Sequence, residues 1–416
     1  MSFAFHAAPP TGEWLNDPNG LIFAEGRYRL FAQHACDTPA FKAIGWARFS
    51  SDDLLDWTFD GPVIPPDQGI WAYSGSIPKV DARLDAFLTR HDSTVSPPVQ
   101  SQARATSTDG GLTWQIEGGP AGPSGRNVRD PFVWFCNATS DWRMLVAEPC
   151  DWHDWAIEPA STLAVWSSPD CDSWTSAGRM ESWLPPGVMW EVPVLIDFGE
   201  RQALMISTVD RRDDQALCGA RYWIGRFDGA EFVAETANEG LPLDLGPDFY
   251  AACVNTQQGW PNDERVLLGW ASGWATARAA QYTGSGHGGP ISLPRIVTLV
   301  GDRLALMPVR SAVPALHLAW NGASLHAFQI PGGDTALRIE LHPGGGRVAR
   351  SGAAPWHWSQ PFAFDFAGVP QMIEIYEDNG LLEIFLHPSG LSITAFVREA
   401  RIDSMLVDDE GSFRRG

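Results

Sequence analysis

A polar turn followed by an aromatic residue recurs four times in this chain at a nearly fixed interval, and that interval limits the folds open to it. The copies are Ser51-Asp52-Asp53-Leu54-Leu55-Asp56-Trp57, Ser107-Thr108-Asp109-Gly110-Gly111-Leu112-Thr113-Trp114, Ser168-Pro169-Asp170-Cys171-Asp172-Ser173-Trp174 and the weaker Phe227-Asp228-Gly229-Ala230-Glu231-Phe232. Their aromatic positions lie 57, 60 and 58 residues apart, as radial or stacked repeats require. Short alternating segments between them, such as Tyr28-Arg29-Leu30-Phe31-Ala32, read as strands. Four-stranded units repeated radially make a β-propeller, which leaves only short sheet edges open. Five units of about 58 residues would end near residue 300, where Leu293-Pro294-Arg295-Ile296-Val297-Thr298-Leu299 supplies a last strand.

The texture changes after that point. Val309 to Ala315 reads as a linker, and alternation returns in Gln371–Glu377, Leu382–Leu386 and Leu391–Val397. Asp378-Asn379-Gly380 makes a hairpin turn between the first two of these. The expected organisation is therefore all-β: a five-bladed β-propeller over residues 1–308, a linker at 309–315 and a C-terminal β-sandwich over 316–416. The 20 Trp and 21 Phe, punctuated by 41 Gly and 32 Pro, fit short strands and turns better than long helices.

A formal charge of −21 argues against nucleic acid or an anionic membrane as partner. No run of 18 apolar residues is present to span a bilayer. The start of the chain, Met1-Ser2-Phe3-Ala4-Phe5-His6-Ala7, has neither the basic nor the apolar region of a signal peptide, so a cytoplasmic protein is expected. The six Cys, at 36, 136, 150, 171, 218 and 253, show no metal-ligand spacing and read as buried free thiols. Neither a metal nor a cofactor is implied. Gly284-Ser285-Gly286-His287-Gly288-Gly289 falls short of a phosphate-binding loop and reads as a flexible loop near a pocket mouth.

Polar clusters recur in the same register as the turns: Asn16-Asp17, Tyr73-Ser74, Arg129-Asp130, Trp190-Glu191 and Asp248-Phe249-Tyr250. Positions 17, 74, 130, 191 and 248 step by 57, 56, 61 and 57 residues, so each cluster sits at the same place in its unit. Around a common axis, residues so far apart in sequence converge on one pocket. Asp17 lies in Glu13-Trp14-Leu15-Asn16-Asp17-Pro18-Asn19-Gly20, which reads as a stiff turn at a strand entrance. A purely structural role is open to each acid alone: Asp17 in a turn, Asp130 in an ion pair with Arg129, Glu191 as an exposed strand residue. Their shared register favours the pocket. Two carboxylates of different proton affinity are the minimum for glycoside cleavage. Glu191 has apolar neighbours in Met189-Trp190-Glu191-Val192-Pro193-Val194 and reads as the proton donor, with Asp17 and Asp130 as anions. Trp14, Trp46, Trp71, Trp190, Trp270 and Trp274 are candidates to wall a sugar pocket, of which two or three are expected to touch ligand.

Trp14-Leu15-Asn16-Asp17-Pro18-Asn19-Gly20, Arg129-Asp130-Pro131 and Glu191-Val192-Pro193 resemble the three signature blocks of glycoside hydrolase family 32, the β-fructofuranosidases that include invertases, levanases and inulinases. The resemblance implies that Asp17 is the nucleophile, Glu191 the acid/base and Asp130 the stabiliser that holds the fructosyl hydroxyls. It implies a fructose-binding pocket of Asn16, Gln33, Trp46, Ser74, Arg129 and Tyr250, with Phe41, Tyr73 and Trp270 also among the substrate-binding residues. The expected partner is a small carbohydrate: sucrose, a fructo-oligosaccharide or a fructan. A retaining hydrolase that releases terminal β-D-fructofuranosyl units follows, with a fructosyltransferase or a non-catalytic sugar-binding propeller as alternatives. The chain departs from the pattern at Val192 and Val194, where the family usually has Cys and often Asp. It departs also at Ala47-Arg48-Phe49, where Gly-His-Ala is usual, and at Phe41, where Trp is common.

Overall fold

The computed structural model describes residues 3–80, 83–117, 121–149, 161–210, 217–237, 239–255, 260–277, 288–309, 312–320, 326–342, 344–352, 358–359, 364–365, 372–407 and 413–415. Arg310 and Ser311 of the expected linker, Cys150, and residues 284–287 of the Gly-rich segment lie outside them. The chain is all-β: among the described residues, only a helical turn at 274–277 and two 3₁₀ turns interrupt the strands. No helix there is long and apolar enough to cross a membrane.

Five antiparallel sheets follow one another along the chain. Each opens with its innermost strand: Trp14–Ala24, Ile70–Ser76, Arg129–Cys136, Val188–Asp197 and Tyr250–Val254. Later strands step outward, as in Trp14–Ala24, Arg27–Ala35, Gly45–Ser51 and Thr58–Ile64 of the first sheet. The innermost strands touch in sequence, first to second through fourth to fifth, and the fifth touches the first again.

The repeated signature forms the turn between the third and the outermost strand of the first four sheets. In each turn one aspartate oxygen accepts two successive backbone N–H groups. Asp53 binds those of Leu55 and Asp56, Asp109 those of Leu112 and Thr113, Asp170 those of Asp172 and Ser173, and Asp228 those of Ala230 and Glu231. Ser51, Ser107 and Ser168 donate their hydroxyls to the same oxygens. Aspartate thus replaces the ladder bonds that a turn cannot make.

The turns of the second, third and fourth sheets also tie each of these to the sheet before it. Arg48 of the first sheet donates to Gly110 O at 2.9 Å, Arg104 of the second to Cys171 O at 3.3 Å, and Arg143 of the third to Gly229 O at 2.8 Å. The turn aromatics Trp114 and Trp174 stand edge-on to Phe31 and Phe87 of the preceding sheet, both with centroids 5.7 Å apart. Such a pair contributes about 0.5–1.5 kcal/mol beyond its buried area. The period visible in the sequence is therefore the period of sheet-to-sheet docking.

The Asp17 segment departs from expectation. It is the buried interior of an eleven-residue strand, Trp14–Ala24, with register shifts around Pro18, and no turn forms there. Neither Asn19 nor Gly20 takes a positive φ. The hairpin instead turns at Glu25-Gly26, with φ of +52° and +76°. Proline is tolerated inside the strand because the bulge removes the need for its missing N–H.

The fifth sheet ends at Pro308, and the next strand begins at Leu316. Two further antiparallel sheets then share one core, to which Leu318, Ile375 and Ile384 contribute from one sheet and Phe328, Ile339 and Val348 from the other. Asn379 and Gly380, at φ +54° and +88°, turn the hairpin between Met372–Asp378 and Leu381–His387. Arg295 of the fifth sheet is fully buried against this unit and pairs with Asp244 at 2.7 Å and Glu383 at 2.5 Å. Of the cysteines, Cys136, Cys171 and Cys253 are buried free thiols as expected, but Cys36 is exposed and Cys218 half-buried. Both stand at sheet ends, where strand alternation no longer dictates burial.

Candidate active site

Every innermost strand breaks register at its polar cluster. The shifts fall around Pro18, between Tyr73 and Gly75, between Arg129 and Phe132, between Glu191 and Val194, and between Tyr250 and Cys253. A bulge re-aims the side chain it carries. Asp130, Val192 and Ala251 take left-handed φ of +64°, +48° and +51°, a conformation that costs energy outside glycine and gathers at functional sites. Gly75 follows from close approach, since a Cβ there would lie 1.9 Å from Phe87 O.

The result is one cavity of about 610 Å³ lined by Asp17, Ser74, Asp130, Glu191 and Tyr250, one residue from each of the five sheets. That volume lies in the range of small-ligand sites. Asp17 Oδ2 accepts the Ser74 hydroxyl at 2.6 Å, and its Oδ1 accepts Asn16 Nδ2 at 3.0 Å. Asn16 is itself fixed by Trp14 Nε1, which donates to its Oδ1 at 2.7 Å, and by a bond to Gln33 Oε1. Asp130 Oδ2 accepts the Val192 N–H at 3.0 Å, which joins the third and fourth bulges. Glu191 Oε1 accepts Arg129 Nε at 2.9 Å, and its Oε2 accepts the Tyr250 hydroxyl. Arg129 also donates to Gln100 Oε1 at 3.2 Å.

Three acids thus share one cavity with the Arg129 guanidinium. Burial pushes Asp17 up to about 6, against the Ser74 and Asn16 hydrogen bonds, with repulsion from Glu191 adding to the rise. Burial likewise pushes Asp130 up to about 7, opposed by Arg129 and reinforced by Glu191 and Asp17. Arg129 is held charged, since attraction from Glu191 and Asp130 outweighs its burial. Tyr250, raised well above its ordinary value by burial and by Glu191, is a hydrogen-bond donor throughout the neutral range. Asp130 feels the charge of Asp17, and interacting acids titrate together, here above the ordinary carboxylate range.

The sequence neighbours gave Glu191 an apolar setting and Asp17 a polar one. Asp17 has its polar partners in Asn16 and Ser74, but the apolar setting of Glu191 is corrected. Val192 and Val194 line a separate small void below the cavity, while the Glu191 carboxylate meets Arg129 and Tyr250. Asp17 and Asp130, expected as the anions, are both pushed up by burial.

Asn16, Gln33, Phe41, Tyr73 and Arg129 also line the cavity. Trp46 and Trp270 do not reach it. Both are fully buried beneath its wall, where Trp46 Nε1 donates to Tyr73 O at 3.0 Å and Trp270 Nε1 to Gly288 O at 3.1 Å. Among the described tryptophans, Trp14 and Trp274 face the cavity, and Trp71 and Trp190 do not line it. Asp248 is likewise removed from the acids: it is buried against Arg350 and Thr276, and Tyr250 represents its cluster in the site.

Several lining residues carried no signal in the sequence. His91, Pro97 and Pro98 come from the hairpin between Arg83–Asp92 and Val99–Ser107, and His91 stacks on Tyr73 with centroids 4.7 Å apart. Gln100, Arg126 and Asn127 complete that side. Only Arg126 and Asn127, just ahead of Arg129-Asp130, stood where a search around the motif would find them.

Three carboxylates, from the first, third and fourth sheets, meet in one sugar-sized cavity, and a pair of carboxylates is the equipment that glycoside hydrolases use. The match is specific: residues 6–308 fit the N-terminal domain of glycosyl hydrolases family 32, and the chain belongs to that family. It is 31% identical over 329 residues to a sucrose-6-phosphate hydrolase of Zymomonas mobilis, covering 74% of this chain and 61% of that protein. It is 27% identical over 286 residues to a levanase of Bacillus subtilis, covering 64% of this chain and 41% of that protein. The chain thus spans less than two thirds of the length of these relatives. A Bombyx mori β-fructofuranosidase shares its fold at a TM-score of 0.78 and 19% identity, covering 98% of this chain and 90% of that one. An Aspergillus awamori exo-inulinase does so at 0.78 and 20%, covering 99% and 96%.

Proposed function

We propose that the protein is a retaining β-fructofuranosidase, built as a five-bladed β-propeller followed by a β-sandwich. The closed ring of contacts among the five innermost strands supports the propeller, and the single core of the last two sheets supports the sandwich. The observation that carries the activity is the meeting of Asp17, Asp130 and Glu191 with Arg129 and Tyr250 in one cavity. Asp17, held by Ser74 and Asn16, attacks the anomeric C2 of a fructosyl unit while Glu191 gives a proton to the departing glycosidic oxygen. The C2–O bond to the leaving sugar breaks, and an ester to Asp17 forms. Asp130, fixed by the Val192 N–H, stabilises the positive charge that develops on the ring. Glu191 then takes a proton from water, which attacks C2 and releases fructose. The hydrogen bonds from Arg129 and Tyr250 leave Glu191 set as the acceptor that this second step needs.

The substrates proposed are sucrose and the terminal fructose of fructans, in keeping with relatives named as sucrose-6-phosphate hydrolase, levanase and exo-inulinase. The test incubates the protein with sucrose, sucrose-6-phosphate, inulin and levan and identifies every sugar released. Glu191→Ala is then given an activated β-fructoside, with and without azide. Accumulation of one fructosyl unit on Asp17, and azide rescue to the β-fructosyl azide, are the expected results. Release of no fructose from any substrate would overturn the activity, an α-configured product would overturn retention, and fructose found only on acceptor sugars would make the protein a transferase.

A further inference from the structure

We propose that Arg350, in the last sheet of the chain, is a positioning residue for the outer wall of the cavity and acts through Thr276 on Trp274. Trp274 stands at the cavity and is half-buried, as is Phe41, whereas Asp17 and Asp130 are 7% and 5% exposed. The acids therefore mark the floor and these rings the mouth, where the leaving group of a terminal fructoside must lie. Trp274 stacks on Trp14 with centroids 6.2 Å apart and planes 20° apart, and meets Phe41 edge-on at 5.3 Å. Its indole N–H makes no hydrogen bond among the described residues. The ring is thus placed by stacking and by the short turn that carries it, which the Ala277 N–H closes on Gly273 O at 2.8 Å.

Thr276 pins that turn from below. Its hydroxyl donates to Asp248 Oδ1 at 2.5 Å and accepts Arg350 Nη2 at 3.3 Å. Asp248 is fully buried, and its other oxygen accepts both Arg350 Nη1 and the Phe396 N–H, the latter at 2.7 Å. Arg350 comes from Gly345–Ser351 of one C-terminal sheet and Phe396 from Leu391–Phe396 of the other. Both sheets of the C-terminal unit therefore converge on one carboxylate that holds the Trp274 turn. Outside the catalytic sheets, the second unit sets the shape of the leaving-group end of the cavity.

The test separates leaving groups, and it rests on the fructosidase reading only for its kinetic arm. Thr276→Val keeps the Arg350–Asp248 ion pair and removes only the link to the turn. With sucrose, its KM is expected to rise about tenfold with kcat nearly unchanged, the loss of one aromatic platform for the leaving sugar. With β-fructosyl fluoride, whose leaving group does not reach the wall, kinetics should match the parent. Trp274→Ala should raise the KM for sucrose at least as far, and the double variant no further than Trp274→Ala. Equal losses on both substrates, or additive losses in the double variant, would overturn the proposal. The second arm needs no activity. In Arg350→Gln and Thr276→Val, amide exchange at Ala271–Ala277 should quicken by about tenfold while Trp14–Ala24 keeps its protection. Unchanged exchange in that turn, or a uniform rise, would refute the link, whereas a parent inactive on every fructoside would refute only the activity.

Discussion

Ser74→Ala isolates the hydrogen bond that most strongly opposes the protonation of Asp17. Asp17 stands at about 6 because burial raises it and the Ser74 hydroxyl, its main counterweight, lowers it. Ser74 donates at 2.6 Å from a site 1% exposed. A hydrogen bond to a charged group is worth about 1.5–3 kcal/mol, which at 1.36 kcal/mol per unit is about 1–2 pKa units. The variant should therefore carry Asp17 at about 7–8. A nucleophile works ionised, so kcat/KM is lost as pH falls through this value, and a higher value moves the acid limb upward. The assay is initial-rate fructose release at low sucrose from about pH 4 to about pH 9. Well below the limb the variant should be about 10- to 100-fold slower than the parent, and the two should converge on the alkaline side. Ser74 touches neither Asp130 nor Glu191, so the variant acts on the limb through Asp17 alone. A limb that stays in place, or a rate that falls by one factor at every pH, would show that Ser74 does not set the charge of the nucleophile.

Asp17→Asn should be inactive yet more stable than the parent. The folded protein raises Asp17 from 3.8 to about 6, so its ionisation removes stability as pH rises between those values, roughly 3 kcal/mol for the group alone. Melting curves should show the gap at pH 7 and its closure in acid, and a gap independent of pH would refute the assignment. Tyr250→Phe removes the donor to Glu191 Oε2 and should lower kcat on sucrose about 10- to 100-fold, with a smaller loss on a fructoside whose leaving group needs no proton; equal losses would detach Tyr250 from the proton transfer. Asp170→Ala removes the acceptor of the Asp172 and Ser173 N–H groups at 2.9 Å. Denaturant titration should show a lower midpoint with kcat/KM unchanged, and an unaltered midpoint would mean the turn holds without it.

The sequence by itself determined the succession of units and the place in each unit where chemistry gathers. It could do so because one local geometry, repeated, selects the same residues each time: an aspartate to cap the outer turn, an aromatic to dock on the sheet before, and a polar cluster at the inner bulge. Asp17, Ser74, Asp130, Glu191 and Tyr250 were legible for that reason. Which way each side chain faces was decided by the tertiary structure. Strand alternation assigns faces only while register holds, and at these positions a bulge shifts it. Glu191 therefore leaves its apolar neighbours for Arg129 and Tyr250, and Asp248 goes to the C-terminal unit while Tyr250, two residues on, goes to the cavity. The rings show the same division. Trp46 and Trp270 have the chemistry of sugar platforms but lie under the wall, and Trp14 and Trp274 form it. An indole serves core and pocket equally well, so only packing distinguishes them.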